Sequence, residues 1–197
     1  MRLLALESAG PRCSAALLED DRVLAHAAAA SPRGHAVLLP VLAARVLGDG
    51  AIDRVAVGVG PGGFTGLRAG LALALGIAAG RGVPVIGVST GDALAALTDA
   101  PPGWAVWAAI DNKRGLLFLE RPGADPIACA EAALPAPEGP VVVVGDAAPR
   151  AAARLLARGA RVMLGEARLA DAIGVGRAAL RAPRPPVPIY VDPPAVT

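Results

Sequence analysis

Apolar and polar residues alternate in two different rhythms along this chain. Residues 2–6 and 14–18 are short apolar runs separated by Ser8, Ala9, Gly10 and Pro11, and Asp20 and Asp21 mark a turn into 22–28. Short strands in succession, with turn residues between them, predict an antiparallel meander. The period then changes. Val37, Leu38, Val41, Leu42, Arg45 and Val46 recur at helical spacing and predict a helix over 34–47. Pro40 falls near its first turn, where a missing N–H costs least. A buried strand over 54–59, a glycine-rich loop, a helix to about residue 80, a strand over 83–88 and a short helix over 92–97 follow.

Beyond a linker at 99–103, rich in proline and glycine, the pattern starts again in degraded form. Strands over 104–110 and 116–120 flank a polar turn, which reads as a hairpin, and 127–129 is a weak third strand. A strand at 140–144, a helix over 148–158, a further strand at 160–164 and a helix over 167–180 complete the reading. The expected fold is therefore α/β, a duplicated actin-like (ribonuclease-H-like) arrangement with mixed sheets flanked by helices. Its units are expected at 1–98 and 104–182, with a proline-rich tail over 183–197 lying as an extended strap on the surface. No sequence repeat accompanies the duplication.

Composition narrows the class. The chain has 197 residues, of which 54% are hydrophobic and 18% charged, so it can bury a real core. Aromatic residues make up only 3%, which leaves Ala, Val, Leu and Ile to build that core. A net charge of +2, with Lys113 the one lysine, does not suggest a broad nucleic-acid footprint. The stretch from Arg54 to Gly91 carries arginines and no acid. Cys13 and Cys129 form no CxxC pair and read as small buried residues of a reducing compartment. The longest apolar run, 69–80, is too short to span a bilayer, which needs about 20 residues. A soluble cytoplasmic protein is expected.

The loop before the second helix carries the candidate chemistry. Gly58, Gly60 and Gly63 make a literal GxGxxG after a strand and before a helix, where glycines can cradle a pyrophosphate. The acid that would hold a ribose is missing between Phe64 and Gly91, and Pro61 removes a backbone donor. A Walker loop fails too, because Leu67 and Arg68 follow Gly66 where Lys and Ser or Thr would stand. The helix itself is more informative. Gly66, Gly70, Ala74 and Ala78 recur every fourth residue, a stripe of small side chains along which another helix can approach closely. Packing inside its own unit and packing against another chain are equally open on this pattern, since a helix apolar all round has more than one face to bury.

Gly58-Val59-Gly60-Pro61-Gly62-Gly63-Phe64-Thr65-Gly66-Leu67-Arg68 resembles the signature of the TsaB family, with Gly63 in place of the usual serine. Supporting similarities are Leu3 to Ser8, Cys13-Ser14, His35 to Pro40, Pro84 to Ser89, Ile110-Asp111 and Pro188 to Tyr190. The resemblance implies an actin-like fold without a working nucleotide or metal site. It implies no cofactor, and a non-catalytic subunit that pairs with a TsaD-type catalytic subunit. A TsaE-type ATPase joins the pair, and the complex transfers a threonylcarbamoyl group to the adenosine beside the anticodon of tRNA. The family's pairing surface maps onto 34–47 and 64–80, with His35, Leu38, Leu39, Leu42, Gly66, Leu67, Gly70, Leu71, Ala74 and Ala78 as interface candidates. A homodimer on the same helices is implied when the partner is absent.

The residues fit that role. A TsaD-like metal site needs two histidines on one helical face, whereas His35 stands alone on its helix and His26 lies on a strand. Glu7 stands where the family usually keeps an aspartate at the end of the first strand. Asp111, Lys113 and Arg114 read as a solvated hairpin tip. No Ser-His-Asp or Cys-His set can be assembled for peptidase chemistry. The competing expectation is a free-standing actin-like ATPase or sugar-kinase relative, which would bind nucleotide between the two halves.

Overall fold

The computed structural model describes residues 1–30, 34–48 and 50–191. β1 (Arg2–Glu7), β2 (Arg12–Glu19) and β3 (Arg22–Ala30) form the antiparallel meander. α1 (His35–Leu47), β4 (Arg54–Gly58), α2 (Phe64–Arg81), β5 (Val85–Val88) and α3 (Thr90–Ala95) follow. β4 pairs in parallel with β1, and β5 with β4, giving the order β3-β2-β1-β4-β5. Residues 99–103 connect irregularly to β6 (Ala105–Asp111), β7 (Leu117–Glu120) and β8 (Ile127–Cys129). β9 (Val141–Val144), α4 (Ala148–Ala157), β10 (Val162–Leu164) and α5 (Ala172–Ala179) complete the chain's regular structure. The second sheet runs β8-β7-β6-β9-β10 with the same two antiparallel and two parallel pairings. The duplication that leaves no trace in the sequence is plain in the topology.

β1 shows why its sequence is a continuous apolar run. Leu4 and Leu6 point to the face under α1 and α2, with Cys13, Val55 and Val57 beside them. Leu3 and Ala5 point to the opposite face, with Ala16, Leu18 and Ala56. A central strand covered on both sides has no polar face to alternate with.

The last helix differs from expectation in extent and in place. It begins at Ala172 rather than near 167, because Asp171 caps it, its carboxylate accepting the Ile173 N–H at 2.9 Å. Its Val175, Ala178 and Ala179 pack against Leu3, Leu18 and Val88 of the first sheet, not within the second unit. The six-residue α3 is too short to cover that face by itself, and α5 supplies the rest. α4 covers one face of the second sheet through Ala148, Ala151, Ala152 and Leu155. Leu94 of α3 reaches Ala108, Val142 and Val144 on the other face, so α3 lies between the sheets.

The strap docks on the first unit. Arg184 exchanges two backbone hydrogen bonds with Gly87 of β5, at 2.8 and 2.9 Å, and Ile189 N–H donates to the Val59 carbonyl at 2.7 Å. A Cβ at Gly87 would collide with the Pro185 carbonyl, so β5 carries a glycine where the strap crosses. The tail's last six residues, 192–197, lie outside the described residues.

Candidate functional site

α1 and α2 lie side by side on the first sheet, and α2 sits directly on the end of β1. Ser8 Oγ donates to the Gly66 carbonyl at 2.9 Å. A Cβ at Gly66 would strike the Ser8 carbonyl, and one at Gly70 would stand 2.5 Å from Ser8 Oγ. Gly66, Gly70, Ala74 and Ala78 are all buried, so the small-residue stripe serves packing inside its own unit. Leu39, Leu42 and Leu67 are buried as well. In the single chain these seven interface candidates therefore lie beneath the surface of the first unit. Leu38 and Leu71 are half-buried, as is His35, which stands beside Gly66 on the wall of a cleft.

The outward face of the same two helices is the apolar surface. Val37 is 73% exposed, Val41 57% and Leu75 45%. Ala36 and Ala44 of α1 and Ala72 and Ala79 of α2 are exposed around them, together with Arg45 and Arg68. Helical spacing puts Val41 with Arg45, and Arg68 with Ala72, Leu75 and Ala79, on one side of each helix. The sequence placed Val37 and Val41 in one apolar stripe with Leu38 and Leu42, whereas the structure buries Leu42 and leaves Val37 and Val41 in water. What the sequence lacked was the position of Ser8, which decides which row faces inward.

A cleft of about 590 Å³ separates the glycine-rich loop from the tip of the β6–β7 hairpin. Pro61, Gly62 and Phe64 form one wall, Asp111, Lys113 and Asp146 the other, and Ile189 and Tyr190 of the strap close one end. Phe64 and Tyr190 stack with centroids 5.5 Å apart, and Arg68 covers the Phe64 ring. Gly63 N–H donates to the Ala9 carbonyl at 2.7 Å, and a Cβ at Gly62 would stand 2.6 Å from that oxygen. The glycines thus let the loop lie against the turn after β1. At the hairpin tip, Lys113 Nζ lies 3.2 Å from Asp111 and 3.1 Å from Asp146, and Arg150 approaches Asp111 at 3.6 Å, so two cations balance the two aspartates. The Lys113 backbone N–H and its ammonium hold the Asp111 carboxyl below its usual range.

Other ionisable groups are engaged in structural contacts. Glu7 is 1% exposed, accepts the Ala9 N–H at 2.5 Å and lies against Gly58, where a Cβ would collide with it. Burial raises its carboxyl to about 7 despite the hydrogen bonds. It points into the core rather than into the cleft. Glu120 at the end of β7 accepts the Gly91 N–H of α3 at 2.6 Å, and burial raises it to about 7 as well. His26 Nε2 and Arg12 Nη2 meet the Asp171 carboxylate at 3.0 and 3.1 Å, tying β3 and β2 to the α5 cap. Burial pushes the Cys13 thiol up to about 11, far from nucleophilic at neutral pH. The Glu120 and Asp171 contacts escaped sequence reasoning because their partners are remote in the chain. An Asp two residues before Ile173, at the start of a small apolar run, was the one local signal for the cap.

Residues 26–121 match the family model of the tRNA N6-adenosine threonylcarbamoyltransferase TsaD. The TsaB protein of tRNA threonylcarbamoyladenosine biosynthesis from Escherichia coli is 38% identical over 129 residues, 60% of this chain and 53% of that protein. The chain is thus similar in sequence to TsaB proteins. The Haemophilus influenzae TsaB protein is 35% identical over 127 residues, 61% of this chain and 53% of that protein. The chain spans about half the length of the curated relatives it matches. A Pseudomonas aeruginosa protein described as similar to peptidase YeaZ superposes with a TM-score of 0.79 at 24% identity, covering 97% of this chain and 99% of that one. That likeness shows the actin-like fold over both units.

Proposed function

We propose that this chain is a docking subunit in tRNA threonylcarbamoyladenosine biosynthesis, without chemistry of its own, and that the outer face of α1 and α2 meets a TsaD-type catalytic subunit. The observation that carries the reading is the set of large apolar residues left in water on one side of both helices. Exposed apolar area of this kind marks a partner surface. The names borne by the sequence relatives supply the process. The non-catalytic role draws support from the ionisable groups: Glu7 faces the core, Lys113 is neutralised by two aspartates, and Cys13 is protonated. A TsaE-type ATPase and tRNA are then partners of the assembled complex, in the cytoplasm, and a homodimer is what the free chain would form.

The test is light scattering on a sizing column with a TsaD-type subunit from the same source. The wild type is expected to form a one-to-one complex. Val41→Arg and Leu75→Arg should abolish it while leaving thermal unfolding of the free chain unchanged, because neither side chain is part of the core. Complex formation by both variants at wild-type strength would refute the reading.

The cleft favours a second reading, a free-standing actin-like ATPase or sugar-kinase relative, since its volume suits a small ligand. Tight calorimetric binding of ATP with magnesium to the chain alone would support it, and no heat would remove it.

A further inference from the structure

The two sheets share one strand order but differ at one edge. β10 holds in the second sheet the outer place that β5 holds in the first. The outer edge of β5 is taken, because Gly87 exchanges both backbone hydrogen bonds with Arg184 of the strap in antiparallel sense. The Arg184 side chain also reaches Asp92, just beyond β5, at 3.1 Å. The outer edge of β10 pairs with no strand or strap among the described residues. Val141 N–H donates to the Arg161 carbonyl, and Gly165 N–H donates to the Val143 carbonyl. In a parallel ladder alternate residues bond to the same side. Arg161, Met163 and Gly165 therefore face β9, and the N–H and C=O groups of Val162 and Leu164 face outward.

The side chains around this edge are apolar. Val162 and Leu164 lie in register with Val141 and Val143 on the face under α4, and Met163 lies on the other face. Met163, Leu164 and Leu156 of α4 are exposed. Arg150 and Arg158 reach Glu131 and the Leu134 carbonyl on one flank of α4. Helical spacing puts Leu156 on the opposite flank, towards β10. Unpaired backbone beside exposed apolar side chains is the arrangement that accepts an added strand.

Copies of this chain fit the edge poorly. The strap crosses β5 at a glycine, because a Cβ at Gly87 would collide with the Pro185 carbonyl, whereas the outward residues of β10 are Val162 and Leu164. Two β10 strands side by side would join three residues from each copy, too little for a stable pair, which buries roughly 1,200 Å² or more. A regular strand of a different protein meets Val162 and Leu164 at ordinary strand spacing. Charge sets its direction. Glu166 is exposed just beyond β10, as Asp92 lies beyond β5, and is complemented by a basic residue at that end.

We propose that β10 is a strand-addition site, which takes an extended antiparallel segment of another protein carrying alternate apolar side chains and a Lys or Arg beside Glu166. The site lies on the second unit and goes beyond the docking role of α1 and α2.

The experiment is amide hydrogen exchange of the full chain with the blocked peptide acetyl-Lys-Thr-Val-Thr-Val-Thr-amide, whose lysine falls beside Glu166 on antiparallel addition. Exchange at Val162 and Leu164 is expected to slow by about tenfold at saturating peptide. Leu164→Pro deletes an outward N–H without touching the ladder to β9, and should abolish the protection of Val162. Glu166→Lys should weaken this peptide by about threefold and favour the same peptide headed by Glu. Val41→Arg should change none of these results, so this site and the docking face of α1 and α2 stand or fail separately. Unchanged exchange in β10 at every peptide concentration would overturn the inference. So would protection that appears at the open edge of β3 instead, or that survives both Leu164→Pro and Glu166→Lys. Protection of β10 that grows with chain concentration in the absence of peptide would identify a second copy as the occupant and also overturn it.

Discussion

At the scale of single residues, Gly66 and Gly70 mark where α2 must come close to the chain at the end of β1. Gly70 leaves room for Ser8 Oγ and the Val57 and Leu39 side chains, the latter two 3.6 and 3.8 Å from where its Cβ would be. Gly70→Leu is therefore expected to destabilise the free chain by about 1–3 kcal/mol through overpacking, measured as a lower midpoint in chemical unfolding. An unchanged midpoint would mean that α2 does not rest on the end of β1. Partner loss in that variant would say nothing about docking, whereas loss with Val41→Arg would, because Val41 is mostly in water. The stripe was legible in the sequence as a stripe, since spacing alone reveals it. Its direction was not, because periodicity fixes which residues share a face and not what lies opposite.

The elements were read well wherever burial imposes a pattern that local sequence carries. β1, β4 and β9 are covered on both faces and show as unbroken apolar runs, and the two long helices of the first unit show as periodic ones. α5 was read too long because Ala167, Leu169 and Ala170 extend an apolar pattern backwards into a segment that is not helical. Asp171 ends that extension. Its carboxylate caps the helix and meets Arg12 and His26, while Ser14 Oγ accepts the neighbouring Ala172 N–H at 2.9 Å. Asp171→Ala removes the cap and leaves the half-buried Arg12 without its buried counter-charge. A loss of roughly 2–4 kcal/mol is expected, with faster hydrogen exchange in α5 and along the α5-facing side of β1. Exchange that rises in α4 rather than α5 would show that the helix belongs to the second unit after all.

At the scale of the whole molecule, two units whose sheets share one strand order are joined through α3, and Glu120 fastens that joint. It reaches from β7 to the Gly91 N–H, and a Cβ at Gly91 would stand 2.6 Å from its carboxyl carbon. Asp92 next to it holds Arg184 of the strap at 3.1 Å, so one cluster ties the second sheet, α3 and the strap together. Burial raises Glu120 from 4.5 to about 7, with Asp92 adding to the shift and Ser89, Gly91 and Arg184 opposing it. Burial does the same to Glu7. Above pH 4.5 the unfolded chain releases both protons, while the folded chain keeps them until about pH 7. Stability therefore falls as pH rises through that window, by on the order of 3 kcal/mol for each carboxyl at most, and stays lower above it. Unfolding midpoints measured from pH 5 to pH 8 should decline accordingly. Glu7→Gln and Glu120→Gln each replace the titrating group with a neutral one of the same shape, so each should flatten part of the decline and the double variant nearly all of it. A decline that persists in the double variant would place its origin in other groups. If Glu120→Gln alone also removes a pH dependence in exchange at the strap, then the joint between the units and the docking of the strap share one proton.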